Sequence, residues 1–251
     1  MNKWRLYGQK DAPFLIAGHS HAYSYLEAIN LAPWQSQLKK FATLYSATPE
    51  IGPPGDSNYW EQVYEISKSK TTFLVWNGNQ HIANFLIKEN PALSTFKTWQ
   101  GDGILLAEEV FFAFFESSFL DLREFLANCP NLSNLYILGT PSPKTNEVVL
   151  ANLQKDVYFV ERFNDLGIML NIESLSDDRF RLELHLIIQS QLEKIALDYG
   201  LDFIPTSSQS IDSDGFLLAE FSAADTSHAS SAYGALMLKE ILIYLEGKGN
   251  A

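Results

Sequence analysis

Two short polar motifs near opposite ends of the chain contain residues that could act together chemically. Residues 18–21 read GHSH after an apolar run, so the hydroxyl of Ser20 stands where a strand turns into a helix. Residues 225–228 read DTSH, with Asp225 three positions before His228. A carboxylate at this spacing can orient an imidazole and stabilise its cation, and that imidazole can then accept a serine proton. Helix capping is the structural alternative for both motifs.

Two further motifs could donate hydrogen bonds to a negatively charged oxygen. Residues 77–80 read NGNQ after an apolar run and offer side-chain amides as donors. Gly55, within residues 53–57 (PPGDS), could present an unobstructed backbone N–H. For each motif the alternative is a simple polar turn, because Gly, Pro, Asn and Asp are the usual turn residues.

The elements that must position these motifs form a repeating strand and helix pattern. Short, almost continuous apolar runs end in turn residues, and most are followed by helical spacing of apolar side chains. Such runs are typical of parallel strands that are covered on both faces. The sequence therefore predicts a three-layer α/β/α fold with a central parallel five-stranded sheet, formed by residues 14–17, 42–47, 71–76, 135–138 and 201–204.

Open parallel sheets bind ligands at the carboxyl ends of their strands, and the four motifs fall in loops at that edge or in the last loop beside it. Unrelated turns and caps would scatter, so this common location favours one site. We predict a single domain over residues 1–251 with an insertion at about residues 80–131. The phenylalanine-rich stretch 111–119 predicts a buried helix, with a lid or an interface between two copies of the chain as alternatives.

The four motifs, in this order, resemble the four sequence blocks of the SGNH (GDSL-type) hydrolases. The family's proline after the fourth strand is matched by Pro141, and its glycine before the final helix is similar to Gly234. The resemblance extends over nearly the whole chain through short motifs and implies a flavodoxin-like fold. The matched blocks are residues 18–20, 55–57, 77–80 and 225–228.

The resemblance implies a serine esterase or deacylase that cleaves a small or carbohydrate-linked ester without a cofactor. Ser20 would attack the ester carbonyl and form an acyl-enzyme, His228 would accept the serine proton, and Asp225 would hold His228. The oxyanion hole would consist of the backbone N–H groups of Ser20 and Gly55 and the side-chain amide of Asn79.

The chain departs from the family pattern at two of these motifs. His19 stands where the family has an aspartate before the serine, which changes the surroundings of the nucleophile. Gln80 stands where the family has an aspartate, and shifting the alignment by one residue would make Gln80 the oxyanion donor with His81 after it. We favour Asn79 as the donor because Gln80 would need a different reach. These departures bear more on substrate class than on mechanism.

Three other functions stay open at the level of sequence. An acyltransferase would use the same acyl-enzyme, with a sugar hydroxyl in place of water. A non-catalytic binding module would keep the motifs without the chemistry. Residues 18–21 also resemble a GHxH motif of metallophosphoesterases, but in that family the motif comes last and a DxH motif comes first, so we predict no metal site. The residues that could ligate a metal are His19, His21, His81, Asp225 and His228.

Composition limits the expected partners and location. The 251 residues include 30 acidic and 18 basic side chains, for a formal charge of −12, so a nucleic-acid partner is not expected. The most apolar segment, residues 104–126, is interrupted by acidic side chains, and no signal-peptide stretch is visible. Cys129 is the single cysteine, which permits no internal disulfide. We expect a cytoplasmic protein that binds no membrane and acts on a small molecule or carbohydrate ester.

Overall fold

A computed structural model describes residues 4–31, 36–46, 57–89, 91–101, 103–129 and 132–249. Within these ranges the strands are β1 (Trp4–Gly8), β2 (Phe14–Gly18), β3 (Phe41–Ser46), β4 (Thr71–Val75), β5 (Leu93–Ser94), β6 (Ile104–Leu105), β7 (Leu135–Leu138) and β8 (Asp202–Ile204). The central sheet has six strands in the order β1-β3-β2-β4-β7-β8. The strands β5 and β6 pair with each other in a separate small sheet.

The predicted fold class is confirmed, and the sheet is one strand wider than predicted. The five predicted strands are β2, β3, β4, β7 and β8, and every neighbouring pair among them is parallel. The additional strand β1 lies at the sheet edge and pairs antiparallel with β3. Its sequence, WRLYG, contains a charged residue and is only partly buried, as is typical of an edge strand. Strand β1 therefore lacks the continuous apolar run that predicts a buried parallel strand.

Helices cover both faces of the sheet, as the three-layer prediction requires. Along β2 the side chains of Leu15 and Ala17 pack on one face, and those of Phe14 and Ile16 pack on the other. The helices are α1 (Ala22–Leu31), α2 (Ser57–Ser67), α3 (Gln80–Ala83), α4 (Glu108–Glu116), α5 (Leu120–Asn128), α6 (Asn146–Leu153), α7 (Val157–Asp165), α8 (Asp178–Asp198) and α9 (Ser231–Gly247). The first face is covered by α2, α4, α5 and α8, and the second by α1 and α9.

The segment between β4 and β7, which we predict to be an insertion, contains α3, the small sheet, α4 and α5. Phe111, Phe115 and Phe119 pack into the core on the α8 side of the sheet, as predicted for a buried helix. Phe114 is 49% exposed, so the stretch is apolar on more than its buried face. No helix in the described ranges is both long enough and apolar enough to span a membrane.

The helices α1 and α9 lie close together on their face of the sheet. Gly234 sits in the first turn of α9, where a Cβ atom would lie 2.2 Å from the carbonyl oxygen of Ser24 in α1. Only glycine allows the two backbones to come this close. Gly234 therefore lies inside the last helix, and the expectation of a glycine before that helix was wrong by one helical turn.

Candidate active site

The serine motif forms a tight turn between β2 and α1, here named the β2–α1 turn (residues 18–21). Gly18 has a φ of 152°, and a Cβ atom on it would lie 2.0 Å from the carbonyl oxygen of Val75. The hydroxyl of Tyr59 accepts a hydrogen bond from the Gly18 N–H at 2.7 Å and lies 2.9 Å from the carbonyl oxygen of Leu44. Tyr59 thereby fixes the turn from the α2 side. This role could not be predicted from sequence, because nothing in the spacing links residues 18 and 59.

Ser20 is half-buried and follows directly from this fixed turn. Its carbonyl oxygen accepts a hydrogen bond from the N–H of Tyr23 at 3.0 Å, at the beginning of α1. Within the described part of the chain, neither the Ser20 hydroxyl nor its backbone N–H has a hydrogen-bond partner. Both groups are therefore available to a ligand, as a nucleophile and an oxyanion donor would have to be.

Residues 225–228, named the DTSH loop, hold a carboxylate and an imidazole in direct contact. Asp225 Oδ2 lies 2.9 Å from His228 Nδ1, and Asp225 Oδ1 accepts the backbone N–H groups of Ser227 and His228 at 3.0 and 2.7 Å. Burial acts to raise the pKa of the Asp225 carboxyl, but the hydrogen bonds from His228 and the charge of Lys144 hold that pKa below its usual value. The carboxylate is therefore ionised and fixes the orientation of the imidazole ring.

Lys144 approaches the same loop from the far side. It lies after β7, is 1% exposed, and donates hydrogen bonds from Nζ to the carbonyl oxygens of Ala223 and Asp225 at 2.8 and 2.7 Å. Its Nζ also lies 3.5 Å from Asp225 Oδ1. Burial lowers the pKa of Lys144, and the neighbouring Asp225 opposes that effect. No sequence pattern predicts this contact, because 81 positions separate Lys144 from Asp225.

The structure brings Ser20, Asp225 and His228 to one open groove with a volume of about 490 Å³. His228 Nε2 has no hydrogen-bond partner among the described residues, and no hydrogen bond joins it to Ser20. Catalytic hydrogen bonds are often long in ligand-free proteins and shorten when substrate binds. The remaining wall residues are Tyr23, Glu27, Tyr45, Ser222, Ala223, Ala224, Ala229, Ser230 and Ser231.

The third motif lies at the same edge of the sheet, because β4 is the neighbour of β2. A Cβ atom on Gly78 (φ 106°) would lie 2.2 Å from Thr140 Oγ1, so the turn requires glycine. The side chain of Asn79 is half-buried and makes no hydrogen bond with the described residues. Gln80 instead turns back, and its Oε1 accepts the N–H of Gly78 at 2.9 Å. Its buried Nε2 has no described partner.

The remaining candidate histidines have lowered pKa values; His21 and His81 are buried, and His19 is half-buried. His19 Nδ1 accepts the N–H of Asn77 at 3.3 Å, and burial lowers the pKa of His19 to about 4. His21 lies beside His228, with 5.3 Å between ring centroids, and burial holds the pKa of His21 well below its usual value. His81 packs against the buried imidazole of His185. Neither His19 nor His81 lines the groove.

The second predicted motif, with Gly55 as an oxyanion donor, lies outside the described residues. Across the described ranges, no group of three or more His, Cys, Asp or Glu side chains is arranged to hold a metal ion.

Several solved structures are similar to the chain over most of its length. A protein provisionally assigned as an acylhydrolase, from Bacteroides fragilis, is 14% identical, with 96% of this chain and 90% of that chain covered and a TM-score of 0.46. A GDSL-like lipase from Bacteroides thetaiotaomicron is 12% identical, with coverages of 95% and 90% and a TM-score of 0.47. A carbohydrate acetylesterase from Sinorhizobium meliloti is 10% identical, with coverages of 92% and 98% and a TM-score of 0.47.

No protein-family model and no curated protein sequence matches the chain.

Proposed function

We propose that this chain is a serine hydrolase that cleaves an ester through an acyl-enzyme on Ser20. One observation carries the proposal: an ionised Asp225 holds His228 by Nδ1 at 2.9 Å, while His228 Nε2 has no described partner and its side chain lines the same groove as Ser20. This is the arrangement in which an imidazole can accept a proton from a serine hydroxyl.

In the proposed first half-reaction, Ser20 Oγ attacks the ester carbonyl carbon as its proton passes to His228 Nε2. The tetrahedral intermediate then expels the alcohol, which takes that proton from His228. In the second half-reaction a water molecule attacks the acyl-enzyme, gives a proton to His228, and the acid is released as Ser20 recovers its proton. General base catalysis of this kind contributes roughly 10²–10⁴-fold to the rate.

Oxyanion stabilisation is proposed to come from the N–H of Ser20, the amide of Asn79 and the N–H of Gly55. Support for the first two is that they have no hydrogen-bond partner in the described structure and lie on neighbouring strand ends. The Nε2 of Gln80 is fully buried whereas Asn79 is only half-buried, which favours Asn79 as the side-chain donor. Each such donor is worth about 10²–10³-fold in rate.

The walls of the groove support a small or carbohydrate-linked ester as substrate. The rings of Tyr23 and Tyr45 lie 5.6 Å apart on one side, and Tyr23 is 44% exposed. Aromatic faces of this kind provide rigid apolar contact area with a polar tip, and the carboxylate of Glu27 can accept hydroxyl hydrogen bonds beside them. The other lining residues include small side chains, among them Ala223 and Ala224, which leave room for a bulky alcohol group.

A fluorophosphonate tests the nucleophile without knowledge of the substrate. Ser20 Oγ would form a bond to phosphorus, fluoride would leave, and the serine proton would pass to His228. We expect intact-mass analysis to show one adduct on the wild-type protein and on Ser231→Ala, which removes another serine of the groove wall. The adduct should be absent from Ser20→Ala and His228→Ala. Folded wild-type protein that takes no adduct would refute the proposed function.

A further inference from the structure

The strongest feature outside the three proposed catalytic side chains is the buried ammonium group of Lys144. Its Nζ contacts the carbonyl oxygens of Ala223 and Asp225 and lies 3.5 Å from the Asp225 carboxylate. Within the described ranges, every hydrogen-bond and ion-pair partner of this ammonium group therefore lies in residues 223–225, at the beginning of the DTSH loop. The contact joins the loop after β7 to the loop before α9.

Packing an ammonium group into a protein interior is energetically unfavourable compared with packing an apolar side chain. Removing it from water is costly, and an apolar side chain of similar size often stabilises a protein interior as well or better. Lys144 is 1% exposed and has two carbonyl oxygens and one carboxylate as compensation. These partners indicate that both the position and the charge of Lys144 matter to the loop.

We propose that Lys144 is a positioning residue for the pair Asp225 and His228, and that its charge limits how strongly the carboxylate stabilises the protonated imidazole. This inference rests on the proposed function. The two carbonyl contacts hold the backbone from which the carboxylate projects, and so keep Oδ2 directed at His228 Nδ1.

Other ionisable groups surround Lys144 without replacing its role. His21, from the β2–α1 turn, is kept neutral by burial. Arg181, from α8, donates to the carbonyl oxygen of Lys144 at 3.3 Å and keeps its charge at every pH of the test. The ionisable groups near Lys144 are Asp225, His21, Arg181 at its backbone carbonyl and, further away, Asp156, whose carboxylate accepts the hydroxyl hydrogen bond of Thr226.

Loss of the Lys144 charge should change the site in a defined direction. With a neutral residue at position 144, the negative charge of Asp225 is offset less and stabilises protonated His228 more. Attack by Ser20 needs the neutral imidazole. In a plot of labelling rate against pH, the low-pH side over which the rate rises, named the acid limb, should therefore move to higher pH. A residue with a purely structural role would lower the rate without moving this limb.

The test measures the rate of fluorophosphonate labelling from about pH 5 to about pH 9, the range in which an imidazole base titrates. Lys144→Met removes both the charge and the donors, and we expect labelling about tenfold slower or more, because small misplacements of catalytic groups are costly. The acid limb should move up by about half a pH unit. Lys144→Gln keeps donors but not charge, and should show the same shift with a smaller loss. Lys144→Arg keeps the charge, and its acid limb should stay in place.

A double variant separates an action through Asp225 from a general loss of stability. In an Asp225→Ala background, Lys144→Met should change the labelling rate by less than about twofold, because the carboxylate through which Lys144 acts on His228 is gone. Independent, multiplicative losses would overturn the inference, as would Lys144→Gln with the wild-type acid limb. If Lys144→Met does not fold, the acid limb of Lys144→Gln decides. Wild-type protein that is not labelled at all would refute the proposed function instead.

Discussion

Acid should destabilise this protein before its carboxylates titrate, because several histidines are buried in the neutral form. His185, inside α8, shows the effect most clearly: burial lowers its pKa from 6.5 to about 3. A histidine that is neutral when folded takes up a proton on unfolding below about pH 6.5. Its contribution to stability is therefore fully present above that pH and is lost as the pH falls toward the folded pKa. Asp225 acts below this window, because an unfolded aspartate titrates near pH 4.

The size of the effect depends on how far the pH lies below the pKa of histidine in the unfolded chain. At about pH 5.5, one unit below it, each such histidine costs roughly 1.4 kcal/mol of unfolding free energy. His21, His81 and His185 are all buried with lowered pKa values, so together they should cost about 4 kcal/mol. Domains of this kind are stable by only about 5–15 kcal/mol, so the loss is a large fraction of the total.

The variant His185→Leu isolates one of these contributions. We would measure urea unfolding by tryptophan fluorescence at about pH 7.5 and about pH 5.5, for wild type and variant. Leucine has a similar volume and no proton to bind, so the loss of stability between the two pH values should be smaller by about 1 kcal/mol in the variant. Equal losses in both proteins would refute the reasoning, whatever the variant does to stability at the higher pH.

Three further predictions concern the elements that position the site. Tyr59→Phe leaves buried backbone groups without a partner and should lower the free energy of unfolding in urea by about 1–3 kcal/mol. The control is Tyr64→Phe on the same helix, which should change that free energy little, because the Tyr64 hydroxyl makes no hydrogen bond among the described residues. Asn79→Ala should slow fluorophosphonate labelling by about 10²-fold, and labelling within twofold of wild type would remove it from the oxyanion hole. Gly78→Ala should lower the melting temperature more than Gly101→Ala, because both glycines have a positive φ but only at Gly78 would the new Cβ collide with neighbouring atoms. Equal losses would show that the positive φ alone sets the loss of stability.

The sequence was enough to predict the fold class because four of the five parallel strands, β2, β3, β4 and β7, are almost continuous buried runs with turns at their ends. Strand β1 escaped because an edge strand with Arg5 lacks that pattern. The candidate serine, aspartate and histidine could be predicted because each lies in a short motif beside a strand end or the last helix. Lys144 and Tyr59 could not, since each meets its partners only after folding, across 81 and 41 positions.

The close contact between α1 and α9 has a consequence for the evolution of this site. Ser20 lies just before α1 and His228 just before α9, while Gly234 lets the two backbones meet. The separation of the proposed nucleophile and base is therefore decided by a helix contact outside the groove. Residues of the groove wall, such as Tyr23, can change with the substrate and leave that separation intact. A substitution at Gly234 would disable every such specificity at once.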